Sequence, residues 1–248
     1  MNVISDWFAG GAIPWSPILL SLRVAGLATA ASFCAGVGAA WLLARRRSPV
    51  TAVLDAMCTL PMILPPTVLG YYLILLVGRR GVLGPWLADC GINLIFSWQG
   101  AVVAATVVVF PLIYKSARAA LELVDPRLEN AARTLGASEW KVFWNVSLPL
   151  AWRGIVAGGM LAFARGMGEF GATLLIAGNI PGKTQTLALA IYDAFQAGND
   201  EQATVLVVLT SCLCLTILVM ADRLFGGRAE GADAGCAHTQ AAGNGPGP

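Results

Sequence analysis

Apolar residues run along this chain in long blocks. Five blocks reach or approach the roughly 20 residues that a helix needs to cross a bilayer core. They are residues 17–44, 51–78, 94–114, 154–178 and 204–222. Blocks of this length predict an all-α integral membrane protein with about five transmembrane helices. The second block holds Pro61, Pro65 and Pro66, which predicts a kinked or broken helix there. Between the third and fourth blocks the pattern changes to mixed polar and apolar positions.

That interruption contains ENAARTLGASEWKVFWNVSLPL, residues 129–150. Just before it, Asp125-Pro126 is a good helix start, with Asp as cap and Pro at the first helical position. Leu128, Ala131, Ala132 and Leu135 recur at helical spacing and predict one apolar face. Gly136 suits a left-handed helix end. Ser138 can cap a second short helix, which carries Trp140, Phe143 and Trp144 and closes at Leu148-Pro149. The prediction is helix, glycine turn, helix. The segment is too charged to cross a membrane. It either lies on lipid headgroups or docks into a groove of a partner protein.

Composition agrees with the spans. Of 248 residues, 57% are hydrophobic and 12% charged, against about 25% charged in an ordinary soluble domain. The net charge of +2 gives no reason to expect nucleic acid as a partner. Its distribution says more. Eleven Lys and Arg fall in residues 45–50, in 115–153 and in the tail, whereas Arg79, Arg80 and Lys183 fall in the other connections. By the positive-inside rule the N-terminus lies outside and the C-terminus and residues 126–149 lie in the cytoplasm. The expected organisation is an extracytoplasmic segment 1–16, a membrane domain 17–225 and a disordered cytoplasmic tail 226–248. The N-terminus does not read as a removable signal peptide. Six cysteines show no C-x-x-C pair, and four in or beside apolar stretches read as small buried hydrophobes. With one histidine, His238, in the tail, no metal set is expected.

Some polar residues sit in or near the spans. Arg23 is expected to snorkel. Arg165 and Glu169, four apart, read either as a self-neutralising pair or as part of a pathway, with Thr173 a further pathway candidate. Gly159, Gly166, Gly168 and Gly171 suggest close helix packing. AGNIPGKT, residues 177–184, has an approximate phosphate-loop spacing. It follows a predicted span, lacks a βαβ context and contains Pro181, so it reads as a turn. No catalytic residue is assigned.

The 129–150 stretch resembles the cytoplasmic EAA loop of permease subunits of binding-protein-dependent ABC importers. That loop reads E-A-A, three residues, G, nine residues, I, one residue, L-P. Ala131, Ala132, Gly136, Leu148 and Pro149 match in place. Asn130 stands at the Glu position, with Glu129 one place earlier, and Val146 replaces Ile. The resemblance implies coupling helices seated in a cleft of an ATPase subunit, and an architecture like that of type I importer permeases. GEFGAT with AGNIPGKTQT, and LPMILPPTVLGYYLILLVGRRGVLG (60–84), are similar to molybdate permeases and less so to sulfate permeases. Residues 15–222 share the resemblance. It implies an ABC importer for molybdate or tungstate, with a sulfate or other oxyanion permease as the alternative. The implied partners are a second copy of the chain, cytoplasmic ABC ATPases that hold the ATP and Mg, an extracytoplasmic molybdate-binding protein and membrane lipid. This chain itself is expected to bind no cofactor. Thr173, Asn179, Lys183, Thr184, Arg79 and Arg80 could supply donors to an anion on the outer side. A secondary transporter would leave the charged loop unexplained, and a membrane enzyme would lack convergent catalytic groups.

Overall fold

The computed structural model describes residues 15–45 and 48–225, and every regular element among them is a helix. Residues 1–14 of the expected N-terminal segment, Arg46, Arg47, Arg228, Cys236, His238 and the tail 226–248 lie outside the described residues.

The first block folds as α1, Trp15–Leu43. The second divides into α2, Pro49–Ile63, and α3, Pro66–Val77, bent by 115°. The cause is local. Leu64 takes extended backbone, φ −71° and ψ 140°, as a residue before proline does. Pro65 and Pro66 then have no N–H to continue the ladder. Ser48 starts α2 with a capping box, accepting from the Val50 N–H while its own N–H donates to Thr51 Oγ1. After the short α4, Gly84–Asp89, come α5, Trp98–Glu122, and α6, Pro126–Thr134. Next, α7, Glu139–Val142, runs through a π-helical turn, Phe143–Ser147, into α8, Leu148–Met167. The chain ends in α9, Gly171–Ala177, α10, Leu187–Gln196, and α11, Asp200–Phe225.

Among the described residues four helical rods are long and apolar enough to span a membrane, and the bent α2–α3 pair makes a fifth if it counts as one span. One boundary needs correction. The block 154–178 is not a continuous span, because α8 stops at Met167 and α9 starts at Gly171. Glu169 turns its carboxylate back to the new helix and accepts the Ala172 N–H at 3.1 Å, serving a first-turn donor as a cap does. The helix α10, between the fourth and fifth blocks, was not predicted. It buries Leu187, Leu189, Ala190 and Ala194.

The core is built on α5. Its most extensive packing is with α1, then with α8. Ala25, Ala28 and Ala40 of α1 and Ala101, Ala104, Ala105 and Ala117 of α5 are fully buried. In lipid, helix association gains little from apolarity itself, so close van der Waals approach decides it, and small residues permit that approach. A Cβ on Gly158 would overlap Ser116 of α5. Ser32 Oγ donates to the Thr106 carbonyl across α1 and α5 at 2.9 Å. Ser21 Oγ accepts the Leu187 N–H at 2.7 Å and ties α10 to α1.

Two side-chain expectations change. Arg23 does not merely snorkel, because its guanidinium lies 4.0 Å from the centre of the Trp98 ring, a cation–π contact. The cysteines are not buried either. Cys34, Cys90 and Cys212 are exposed, Cys58 and Cys214 half-buried, and all five are free thiols. Cys34 and Cys212 lie at exposed helix positions and Cys90 just after α4, while Cys58 and Cys214 pack against the edges of the core clusters.

Candidate functional site

Residues 125–149 form the predicted helix pair at the end of the bundle where α1 and α5 finish. Asp125 caps α6 by accepting the Arg127 N–H at 2.8 Å. The turn after α6 closes through Gly136 N–H to the Arg133 carbonyl at 2.9 Å and Ala137 N–H to the Ala132 carbonyl at 3.1 Å. Gly136 sits at φ +83°, a left-handed conformation that glycine adopts without a Cβ penalty. Ser138 occupies the cap position of α7, but its hydroxyl makes no capping bond. The π-helical turn that follows has a chemical cause. Pro149 has no N–H to give the Asn145 carbonyl, and widening the turn keeps its ring clear of that carbonyl. The Leu148 N–H reaches back to Phe143 instead.

A charge network fixes the pair to the bundle. Glu129 is only 3% exposed. One of its oxygens accepts from Arg45 Nη2 at 2.8 Å and Ser147 Oγ at 2.6 Å, and the other from Arg133 Nη2 at 3.2 Å. Arg133 also forks onto Glu139, at 2.7 and 3.0 Å, and donates to Asn130 Oδ1 at 2.8 Å. The Glu139 carboxylate, helped by Glu129, raises the pKa of the Arg133 guanidinium above its ordinary value. Arg45 reaches the Val124 carbonyl as well, at 3.2 Å. Beside the charges, Trp41 of α1 packs on Phe143 and Trp140, with ring centres 5.0 and 5.7 Å apart. A cavity of about 250 Å³ lies between Trp41, Arg45, Glu129, Arg133, Glu139 and Ser147.

The predicted apolar face of α6 points away from the protein. Leu128, Ala131 and Leu135 are exposed, Leu135 by 88%, and Ala132 is half-buried. The one buried residue of α6 is Glu129. This helix is therefore inside out for a free-standing surface, with its charge facing in and its leucines out. Leu123 and Trp140 extend the apolar surface. Asn130, at the motif's Glu position, is exposed; Val146 and Leu148 are half-buried, and Pro149 is exposed. Sequence reasoning missed Arg45, Ser147 and Trp41 as members of this site. In sequence Arg45 reads only as a topology charge, because its contact with Glu129 spans 84 positions that no local pattern links.

The pathway candidates fare differently. Arg165 Nη1 meets Glu169 at 3.0 Å, and the other Glu169 oxygen holds the start of α9. Glu169 is thus a buried brace between α8 and α9, while the Arg165 side chain is 41% exposed. Thr173 is buried on α9. Thr184 donates to the Gly178 carbonyl and accepts the Ile180 N–H, both at 3.1 Å. The AGNIPGKT segment is thereby closed on itself, after a helix and not a strand. Asn179 Nδ2 is engaged with Asp193 at 3.1 Å. Among the described residues no group of three His, Cys, Asp or Glu side chains is placed to hold a metal.

Comparison with known proteins agrees with this geometry. The molybdenum transport system permease protein ModB of Escherichia coli (strain K12) is 47% identical over 212 residues, covering 85% of this chain and 93% of that protein. The sulfate transport system permease protein CysW of Synechocystis sp. is 38% identical over 189 residues, covering 76% of this chain and 68% of that protein. The methionine ABC transporter MetNI, in an inward-facing conformation, superposes with a TM-score of 0.64 at 19% identity, covering 86% of this chain and 94% of that one. At that identity the likeness is one of fold. The family model for the binding-protein-dependent transport system inner membrane component matches residues 33–228. With most of its length matched by that model, this chain belongs to the family of binding-protein-dependent transport system inner membrane components.

Proposed function

We propose that this chain is the membrane-spanning permease of an ATP-driven importer for molybdate or tungstate. It works as a homodimer with the path between two copies. Two ATPase subunits, which hold the ATP and Mg, dock on residues 126–149 from the cytoplasm. A solute-binding protein delivers the anion on the side of Arg79, Arg80 and Lys183. The N-terminus is outside and the C-terminus inside.

The observation that carries the reading is the outward apolar face of α6, with Leu135 88% exposed on a platform locked from behind by Glu129. A lone amphipathic helix on this protein would turn that face inward. A helix built to enter a partner's groove leaves it out. The platform also transmits force. Arg45 and Trp41 join the pair to α1, and α7 is continuous with α8 as a 29-residue rod. Closure of the ATPases on α6 and α7 therefore moves α1 and α8 together. The loaded binding protein favours the ATP-bound state, because only differential affinity shifts such an equilibrium. For the substrate, support comes from the higher identity to ModB than to CysW.

The test is uptake of labelled molybdate into proteoliposomes holding the chain, its ATPase and its binding protein. ATP-dependent uptake that excess sulfate does not reduce is expected. Uptake abolished by sulfate would move the substrate to the sulfate class. Uptake without the ATPase would overturn the reading.

A further inference from the structure

At the end of the bundle opposite α6, three cations border one cavity. Arg79 and Arg80, just after α3, and Lys183, between α9 and α10, line a space of about 890 Å³. Asn93 adds a neutral amide, Leu75 and Leu175 form apolar wall, and no acidic side chain lines it.

These cations have no structural work that accounts for them. Arginines after a helix often cap its last carbonyls. Here the Gly78, Val82 and Leu83 N–H groups take the Ile74, Leu75 and Leu76 carbonyls, at 2.8, 3.2 and 2.8 Å. The loop is tight, for a Cβ on Gly84 would overlap the Gly78 carbonyl oxygen. Nor are the charges neutralised. The cavity at the α6 end holds its cations beside carboxylates, Arg45 and Arg133 on Glu129 and Arg133 also on Glu139. Arg79, Arg80 and Lys183 form no ion pair among the described residues. Like charges around a concave, apolar-walled space focus a positive potential into it. A guanidinium offers a planar fork that matches two oxygens of a tetrahedral anion.

We infer that this cavity binds a tetrahedral oxyanion, held by Arg79, Arg80 and Lys183 with Asn93 as a neutral donor. The anion is either free in solution or the phosphodiester of an anionic lipid. Exposed Trp86 and Val82 beside the cavity suit the second source. The site does not depend on the proposed transport cycle, because binding is read at equilibrium without ATP.

Two arms distinguish the sources. In the first, the purified full chain with its ATPase is titrated with labelled molybdate in neutral detergent, with sulfate as competitor. In the second, the same complex is passed through micelles of phosphatidylglycerol or phosphatidylcholine, and retained lipid is counted by native mass spectrometry. The test variant is the triple change Arg79→Gln, Arg80→Gln, Lys183→Gln. One variant, Arg79→Lys with Arg80→Lys, keeps the charge, and Arg153→Gln removes a charge elsewhere. Molybdate affinity falling at least about tenfold in the triple variant, as expected for lost charge-assisted hydrogen bonds, supports a free-oxyanion site. Selective loss of phosphatidylglycerol supports a lipid site. In either case the Lys variant, which keeps the charge and loses the fork, binds between the triple variant and wild type, and Arg153→Gln keeps all of the binding. The inference is overturned if triple variant and wild type, with matching thermal unfolding, bind both probes equally or not at all. Failed uptake beside intact binding would count against the transport reading and leave this site standing.

Discussion

Glu129 is a carboxylate enclosed between two guanidinium groups and a hydroxyl, while its neighbour Asn130 faces outward with one bond to Arg133. The two positions therefore differ sharply in energy. Replacing Glu129 with Gln leaves Arg45 and Arg133 without their shared counter-charge. Removing one partner of a buried pair costs 3–5 kcal/mol, but these arginines are about a third exposed, so water screens them and about 2 kcal/mol is expected. Asn130→Ala should shift stability by no more than about 0.5 kcal/mol. Denaturant unfolding of the detergent-purified complex measures both, and the reverse ranking would remove Glu129 from the centre of the site. The motif's spacing points at position 130. One step along a helix turns a side chain by about 100°, so a slip of one residue decides between solvent and the interior. Which of two adjacent polar residues faces in depends on Arg45, far away in the chain.

The pair α6 and α7 was legible as an element because its signals are local. They are the Asp-Pro start, the glycine turn and the leucine spacing. Its outward orientation was legible only through the readings that set lipid or a partner against it, since an apolar stripe by itself looks the same when the protein's own core covers it. Two substitutions separate the docking face from the turn. Leu135→Ser removes an apolar side chain that is 88% exposed, so folding should hold within about 0.5 kcal/mol. ATP-driven uptake and co-purification of the ATPase should both be lost. Gly136→Val forces a β-branched residue into φ +83°, at about 1–2 kcal/mol. It should insert in the membrane, unfold at lower temperature and transport nothing. Normal uptake in either variant would contradict coupling through this pair. Other elements show the same division. The break between α2 and α3 was readable from its prolines. The break between α8 and α9 falls in RGMGEFG, residues 165–171, where the glycines read as close packing; Gly168 ends α8, and the Glu169 carboxylate divides its two oxygens between the two helices.

Across the molecule, α1, α5 and α8 form a tight small-residue core, and α2 is attached to it very differently. No residue of α2 is buried, and Val53, Met57 and Ile63 are exposed. Hydropathy could not foresee this, since Asp55 is the single charge in residues 51–78 and the apolar positions around it give no sign of which faces meet the core. The polar tie is Asp55. It accepts from the Tyr114 hydroxyl at 2.7 Å and from Lys115 Nζ at 3.3 Å, and it pairs with Arg118. Arg118 keeps a second carboxylate in Glu122, at 2.8 Å. Asp55→Asn should therefore cost only about 1–2 kcal/mol, these side chains being partly exposed. Its effect should be local. Hydrogen exchange should quicken across residues 49–63 while α5 and α8 stay protected, because a weakly attached element opens without the core. Faster exchange spread evenly over all three helices would instead show that α2 opens only with the whole bundle, and that the Asp55 tie supports the core itself.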